Sequence, residues 1–494
     1  MEHPLDVSDH PGPRSRRRRR RSPLRVVAAA SVLALWPSAS RAGDEPQACG
    51  GATDASGGPA STAGQVPQST PDAVDPAVTK GDLPRPVTAP ATTLATEKPP
   101  DRDAWQATVH FLDETVHGVS ESLKKQGWVT WNEYRGTCAT MNLHTRQMFD
   151  FTFFVQDATN VSQVGKADPQ FQWREARFML SGRFLCFKPA WSYYVSIEYG
   201  GFNLPQGQRF GVSEAWIGIP INDWLGTVEV GKVQQAFSIE SLTSGGSLTF
   251  MERSLEAFDL GDQIGIALRN SALRDRLTWQ AGFYYDFFTD SSTVGGAVRV
   301  TGLPVDENGG ALLLHVGASG RYLGAAGGSL QLQARPATHV GPYFADTGSF
   351  PAWGSWGFDV EALAVLASVT LQAEFLENWV GASQAGNPSL FGWYVKGAWL
   401  VTGEVLPFER EKAVPGYIVP KRDWGAIEVA IRYWMNSLDG GSVSGGVLRD
   451  VQAGATFYLG KFLRADFNYG HVWLYRFGVT GQSGVYGFRL QLQV

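Results

Sequence analysis

From about residue 140 to Val494, apolar and polar residues alternate with period two, segment after segment. Phe149, Phe151, Phe153 and Val155 alternate with Asp150, Thr152 and Gln156. Trp191, Tyr193, Val195, Ile197 and Tyr199 alternate with Ser192, Ser196 and Glu198. That period puts successive side chains on opposite faces of a strand. No run of eighteen apolar residues follows the N-terminal region, so helices long enough to span a bilayer are not expected there. A soluble sandwich alternates too, but its second face packs on another sheet and must be dry. Here the second face carries charge along its length, which suits a water-filled lumen. Aromatic residues (Trp173, Trp191, Tyr199, Tyr285, Trp399, Tyr433, Tyr458, Tyr469) fall near strand ends, as interfacial girdles do. The expected fold is therefore all-β, an antiparallel transmembrane barrel over residues 140–494.

About seventeen segments qualify as strands. Single-chain bacterial barrels close with an even number, so one segment is surplus. The doubtful ones are 297–303 and the irregular end of 330–339. Sixteen strands leave about 22 residues for each strand with its loop, enough for a span and a turn; eighteen is the alternative.

One connection stands out. Residues 236–260, between two Gly-bearing strands, alternate poorly and contain Phe237, Leu242, Leu248, Phe250, Met251, Leu255 and Phe258. A loop this long is usually functional, and this much apolar surface does not stay in water. It is expected to fold onto the inner wall and narrow the channel, with Phe237, Thr243, Phe250, Met251 and Glu252 as constriction residues. Its words, FSIESLTSGGSLTFMERSL followed by GDQIGIAL, resemble those of the phosphate-selective porin O/P family. REARFMLSGRF, from Arg174 to Phe184, resembles the family's early Arg-bearing strand. The resemblance implies a homotrimeric sixteen-stranded porin in the outer membrane, in contact with its lipid and passing small hydrophilic solutes or anions such as phosphate.

The N-terminus fits export. Residues 1–42 have a basic start, an apolar run from Val26 to Trp36, and Ser40-Arg41-Ala42 as a cleavage site: a signal peptide. Residues 43–102, rich in Pro, Ala, Thr and Gly, read as a disordered linker. Residues 103–126 carry a stripe (Trp105, Val109, Leu112, Val116, Val119, Leu123) that reads as an amphipathic helix, with a short coiled coil as the sharper alternative.

Of 42 basic and 47 acidic residues, nine and three precede residue 43, so the remainder carries −11. That argues against nucleic acid as a partner and requires any anion preference to come from local placement. Parity places about ten basic and ten acidic residues on the inner face. The best local excess of positive charge is Arg177 and Arg183 with Arg253 of the long loop, and these are the candidate anion-binding residues. Cys49, Cys138 and Cys186 form no disulfide framework or zinc site, although Cys138 and Cys186 could pair. His144, His315, His339 and His471 fall in no nucleophile motif or metal-ligand spacing, and no cofactor is implied. A porin is the expected function. A closed anchoring barrel and an outer-membrane hydrolase are the alternatives.

Overall fold

The computed structural model describes residues 128–199, 210–285, 294–336 and 338–494. The signal peptide, the linker and the helix expected over 103–126 lie outside them, as does Asp286. The alternating segments form sixteen long antiparallel strands: β1 (Ala139–Gln156), β2 (Gln170–Phe184), β3 (Trp191–Tyr199), β4 (Phe210–Asn222), β5 (Gly226–Gln234), β6 (Asp262–Ala272), β7 (Leu277–Tyr285) and β8 (Val294–Glu307). These are followed by β9 (Leu312–Gly324), β10 (Gly354–Leu366), β11 (Val369–Gly381), β12 (Ser389–Leu400), β13 (Ala426–Gly440), β14 (Val443–Leu459), β15 (Leu463–Arg476) and β16 (Val479–Gln493). Each pairs with the next. β16 then pairs with β1, from Ser483 opposite Gln156 to Gln493 opposite Arg146, and the sheet closes. Closure leaves no strand edge to protect in the bilayer.

The surplus segment is 330–339. Only two-residue ladders form there, Ser329–Leu330 with Phe350–Pro351 and Gln333–Ala334 with Ala345–Asp346. Residues 297–303 lie well inside β8. Two short strands, Trp128–Thr130 and Glu133–Arg135, extend the sheet as a hairpin on β1. The hairpin turn at Phe477-Gly478, with φ of 52° and 82°, has the two left-handed residues of a type I′ turn, whose twist matches its strands.

The outer face is apolar and bare. Ile266, Phe283, Val298, Val300, Leu371, Val395, Ile431 and Leu490 are all about half exposed, on strands spread around the barrel. A continuous band of this kind suits hydrocarbon rather than water. Tyr458 is not part of a girdle. It points inward, is buried, and its hydroxyl donates to Glu428 Oε2 at 2.6 Å.

Three connections fill the interior. Residues 235–261 follow β5 and 325–353 follow β9, so both enter from one end. Residues 401–425 follow β12 and enter from the other. Phe237, Leu255 and Phe258 of the first pack with Leu332, Phe344 and Phe350 of the second. Ile239 and Leu242 meet Leu406, Phe408, Val414 and Ile418 of the third. Parity reading missed the last two because each is assembled from short apolar pieces with no sustained period. Cys138 and Cys186 are exposed free thiols at the rim.

Candidate functional site

Residues 235–261 are held in place by arginines of the barrel wall that donate to the loop's backbone carbonyls. Arg464 Nη1 and Nη2 reach Gly246 O (3.1 Å) and Leu248 O (2.7 Å). Arg432 Nη2 reaches Glu252 O at 3.0 Å, and Arg489 Nη1 reaches Met251 O at 2.5 Å. A buried carbonyl without a donor costs about 1–3 kcal/mol, so these contacts fix the loop's path. Inside the loop a single helical turn, α1 (Ile239–Leu242), is capped by Ser238 Oγ, which accepts from Ser241 N at 3.1 Å. Thr243 Oγ1 closes the turn by donating to Ile239 O at 2.6 Å.

The constriction residues expected from the sequence divide into two groups. Phe237 and Phe250 are buried against the wall, each with a guanidinium over its ring, Arg321 at 4.1 Å and Arg432 at 4.4 Å. Thr243 is likewise buried. Met251 is buried by residue, its N–H donating to Asn468 Oδ1 at 3.1 Å, although part of it reaches the cavity described below. Glu252 stands at the centre of a clamp. Its carboxylate accepts from Arg174 Nε (3.1 Å) and Arg489 Nη2 (2.6 Å), and Arg489 also holds Asp150 through two bonds of 2.7 Å. Burial raises the Glu252 carboxyl, but Arg174 and Arg489 outweigh it and hold it well below the usual carboxylate range. Glu240 of α1 is buried, with Arg432 Nη1 at 3.1 Å and Ser254 N at 2.7 Å as donors.

Between the loop, residues 409–414 and the wall from β16 and β1 round to β6 lies a cavity of about 490 Å³. Its lining contains seven basic and seven acidic residues, and nearly all are matched. Arg146 pairs with Glu175 (2.6 Å), Arg269 with Glu229 (2.8 Å) and Lys412 with Glu409 (3.0 Å). Arg177 sits between Glu175 (3.2 Å) and Glu198, which it also contacts. Glu214 accepts only a Trp216 indole N–H (2.7 Å), and Glu411 has no ion pair among the described residues.

Arg177 and Arg253 both line this cavity; Arg183 does not. Six residues along β2 separate it from Arg177, roughly 20 Å at strand rise, and it lies exposed towards the strand's end. Arg253 is turned back onto its own loop. It donates to the carbonyls of Glu240 (2.9 Å), Ser241 (3.2 Å) and Thr243 (3.0 Å) and lies 3.5 Å from Asp259. The expected cluster of three arginines is therefore not assembled. Parity puts Glu214 on the inner face, but Arg146 and residues 409–412 did not stand out in the sequence, although parity and loop length together carry the signal.

A closed sixteen-stranded barrel with an apolar outside, a charged inside and an inward loop defines the class: an outer-membrane porin. The profile of the family described as phosphate-selective porin O and P matches residues 148–474, and the chain belongs to that family. Comparison with curated protein sequences gives no significant match. Among solved structures the chain is similar to a loop-L8 deletion mutant of OmpT, an outer membrane protein of Vibrio cholerae (14% identity, TM-score 0.49, 72% of this chain and 100% of that one). It is also similar to the outer membrane channel DcaP of Acinetobacter baumannii (12%, 0.45, 73% and 99%) and to an anion-selective porin from Comamonas acidovorans (11%, 0.46, 72% and 100%). At these values the likenesses carry no weight for selectivity.

Proposed function

We propose that this porin is a weakly discriminating channel for small hydrophilic solutes, phosphate among them, and not a phosphate filter. The observation that supports this is the equal number of basic and acidic residues around the cavity, nearly all of them paired. Selectivity needs an unbalanced ring at the narrowest point. In this reading residues 236–260 form the constriction, Glu252 and its two arginines make its rigid edge, and the assembled unit is a homotrimer as in the family. Channels reconstituted in a planar bilayer should pass chloride with no inhibition by added phosphate. A current that phosphate blocks at low concentration would overturn the reading, and the absence of any conductance would favour a closed anchoring barrel. Chemical crosslinking in detergent tests the trimer.

A further inference from the structure

On β3 and β4 two aromatic side chains take inward positions among the ions. Tyr194 and Trp216 stand directly opposite each other in the ladder, and both line the cavity. Their rings are nearly parallel, 20° apart in plane with centroids at 5.9 Å. The indole is held at both edges. Its Nε1 donates to Glu214 Oε1 at 2.7 Å, and its Cζ3 lies over Gly218, where a Cβ would come within 3.2 Å of it. The ring is thus fixed in orientation, with part of its surface open to the passage.

The charge beside the rings does not balance. Apart from Arg174, which belongs to the Glu252 clamp, β1 to β4 present Arg146 and Arg177 to the cavity against Glu175, Glu198 and Glu214. Arg146 is bound by Glu175 at 2.6 Å, and Arg177 lies between Glu175 at 3.2 Å and Glu198. Two guanidinium groups thus meet three carboxylates. The one left over is Glu214, which has no ion pair among the described residues and accepts only the indole N–H.

We infer that Trp216, Tyr194 and Glu214 form a subsite in the passage for organic ammonium ions, with quaternary methylammonium compounds the best fit. A cation is drawn to the negative face of an aromatic ring, and the carboxylate at the ring's edge supplies the opposite charge. An anion would meet that face and an unmatched carboxylate together. A methylated nitrogen suits the rings better than a bare ammonium, because it covers them with apolar surface and has no N–H left without an acceptor. The inference rests on the porin reading above and names a solute class that the passage retains. Potassium and chloride are too small to cover the rings and still pass.

The test sets choline against dimethylbutanol, its uncharged carbon analogue, on the full chain. In planar bilayers choline should interrupt the potassium chloride current, and the analogue should not. In a maltoside detergent, saturation-transfer NMR should show the choline methyl groups receiving magnetisation from the protein, so binding is read even where no channel conducts. Apparent affinity should fall about tenfold in Trp216→Leu and in Glu214→Gln, and Trp216→Phe should keep part of it. A methyl signal without any conductance would keep the subsite and overturn the porin reading instead. Wild-type protein on which choline gives neither signal, or on which the carbon analogue binds as well, would overturn the subsite whatever the variants' folding. Unchanged affinity in both the Trp216→Leu and Glu214→Gln proteins would do the same.

Discussion

The two halves of the barrel wall carry the same residue types at the same inward parity and use them differently. On β8 to β16 the inward charges are mostly sealed under the loops, although Arg489 also edges the cavity: Arg299 and Glu361 have side chains 0% exposed, Arg464 and Asp466 2% and 1%. On β2 to β6 they border the cavity, with Arg177 and Glu198 at 22% and 19%. A buried pair is expensive to desolvate and costly to break, so it acts as an anchor. A solvated pair contributes about 0–1 kcal/mol to stability and leaves its field available to a passing ion. The difference separates residues that build the constriction from residues that a solute meets.

The largest effect should come from breaking an anchor. Arg489→Gln leaves Asp150 without its donor, leaves Glu252 with Arg174 alone and frees Met251 O. It should cost about 3–5 kcal/mol, the usual penalty for half of a buried pair, read by urea unfolding in detergent. A loss below about 1 kcal/mol would erase the distinction between the halves. Arg299→Gln should cost somewhat less, because His315 still contacts Glu361. It also removes the donors to Lys412 O and Ala413 O, at 3.2 and 2.8 Å. Limited proteolysis should then cut within residues 401–425 and spare 235–261. Equal cutting in both would show the three inward segments to be one unit.

The passage half should answer in selectivity rather than stability. Arg177→Gln leaves Glu175 and Glu198 facing the cavity with less positive charge, so the reversal potential should move towards cations while stability changes by about 1 kcal/mol or less. Arg183→Gln, at the exposed end of β2, should change neither measurably. Equal shifts from the two would return Arg183 to the constriction.

A pH slope probes the loops themselves. Burial, with Arg174 nearby, pushes His339 of the 325–353 segment down to about 3. Its folded value lies below its unfolded one, so its contribution to stability is present above about pH 6.5 and is lost as pH falls towards 3. His339→Gln should flatten that slope by at most about 1.4 kcal/mol per pH unit. An unchanged slope would mean that His339 takes up its proton without disturbing the loops.

Period-two alternation was enough to read the barrel, its closure count and the inward face of Arg299, Arg432, Arg464 and Arg489, because strand geometry ties parity to face. The inward loop was legible from its apolar content. The partition of charges was not, because it depends on which wall strands the loops cover. That in turn rests on contacts such as Arg464 with Gly246 O, more than two hundred residues apart in the chain. Arg253 shows the same limit: a loop arginine looks free in sequence, and only the folded turn presents it with three carbonyls.

The account stands on charge balance in the passage, and a reversal potential tests it most directly. With wild-type channels in a planar bilayer under a tenfold potassium chloride gradient, the potential should lie close to zero, with any offset on the cation-selective side set by Glu214 and Glu411. A potential near the chloride equilibrium value would contradict it.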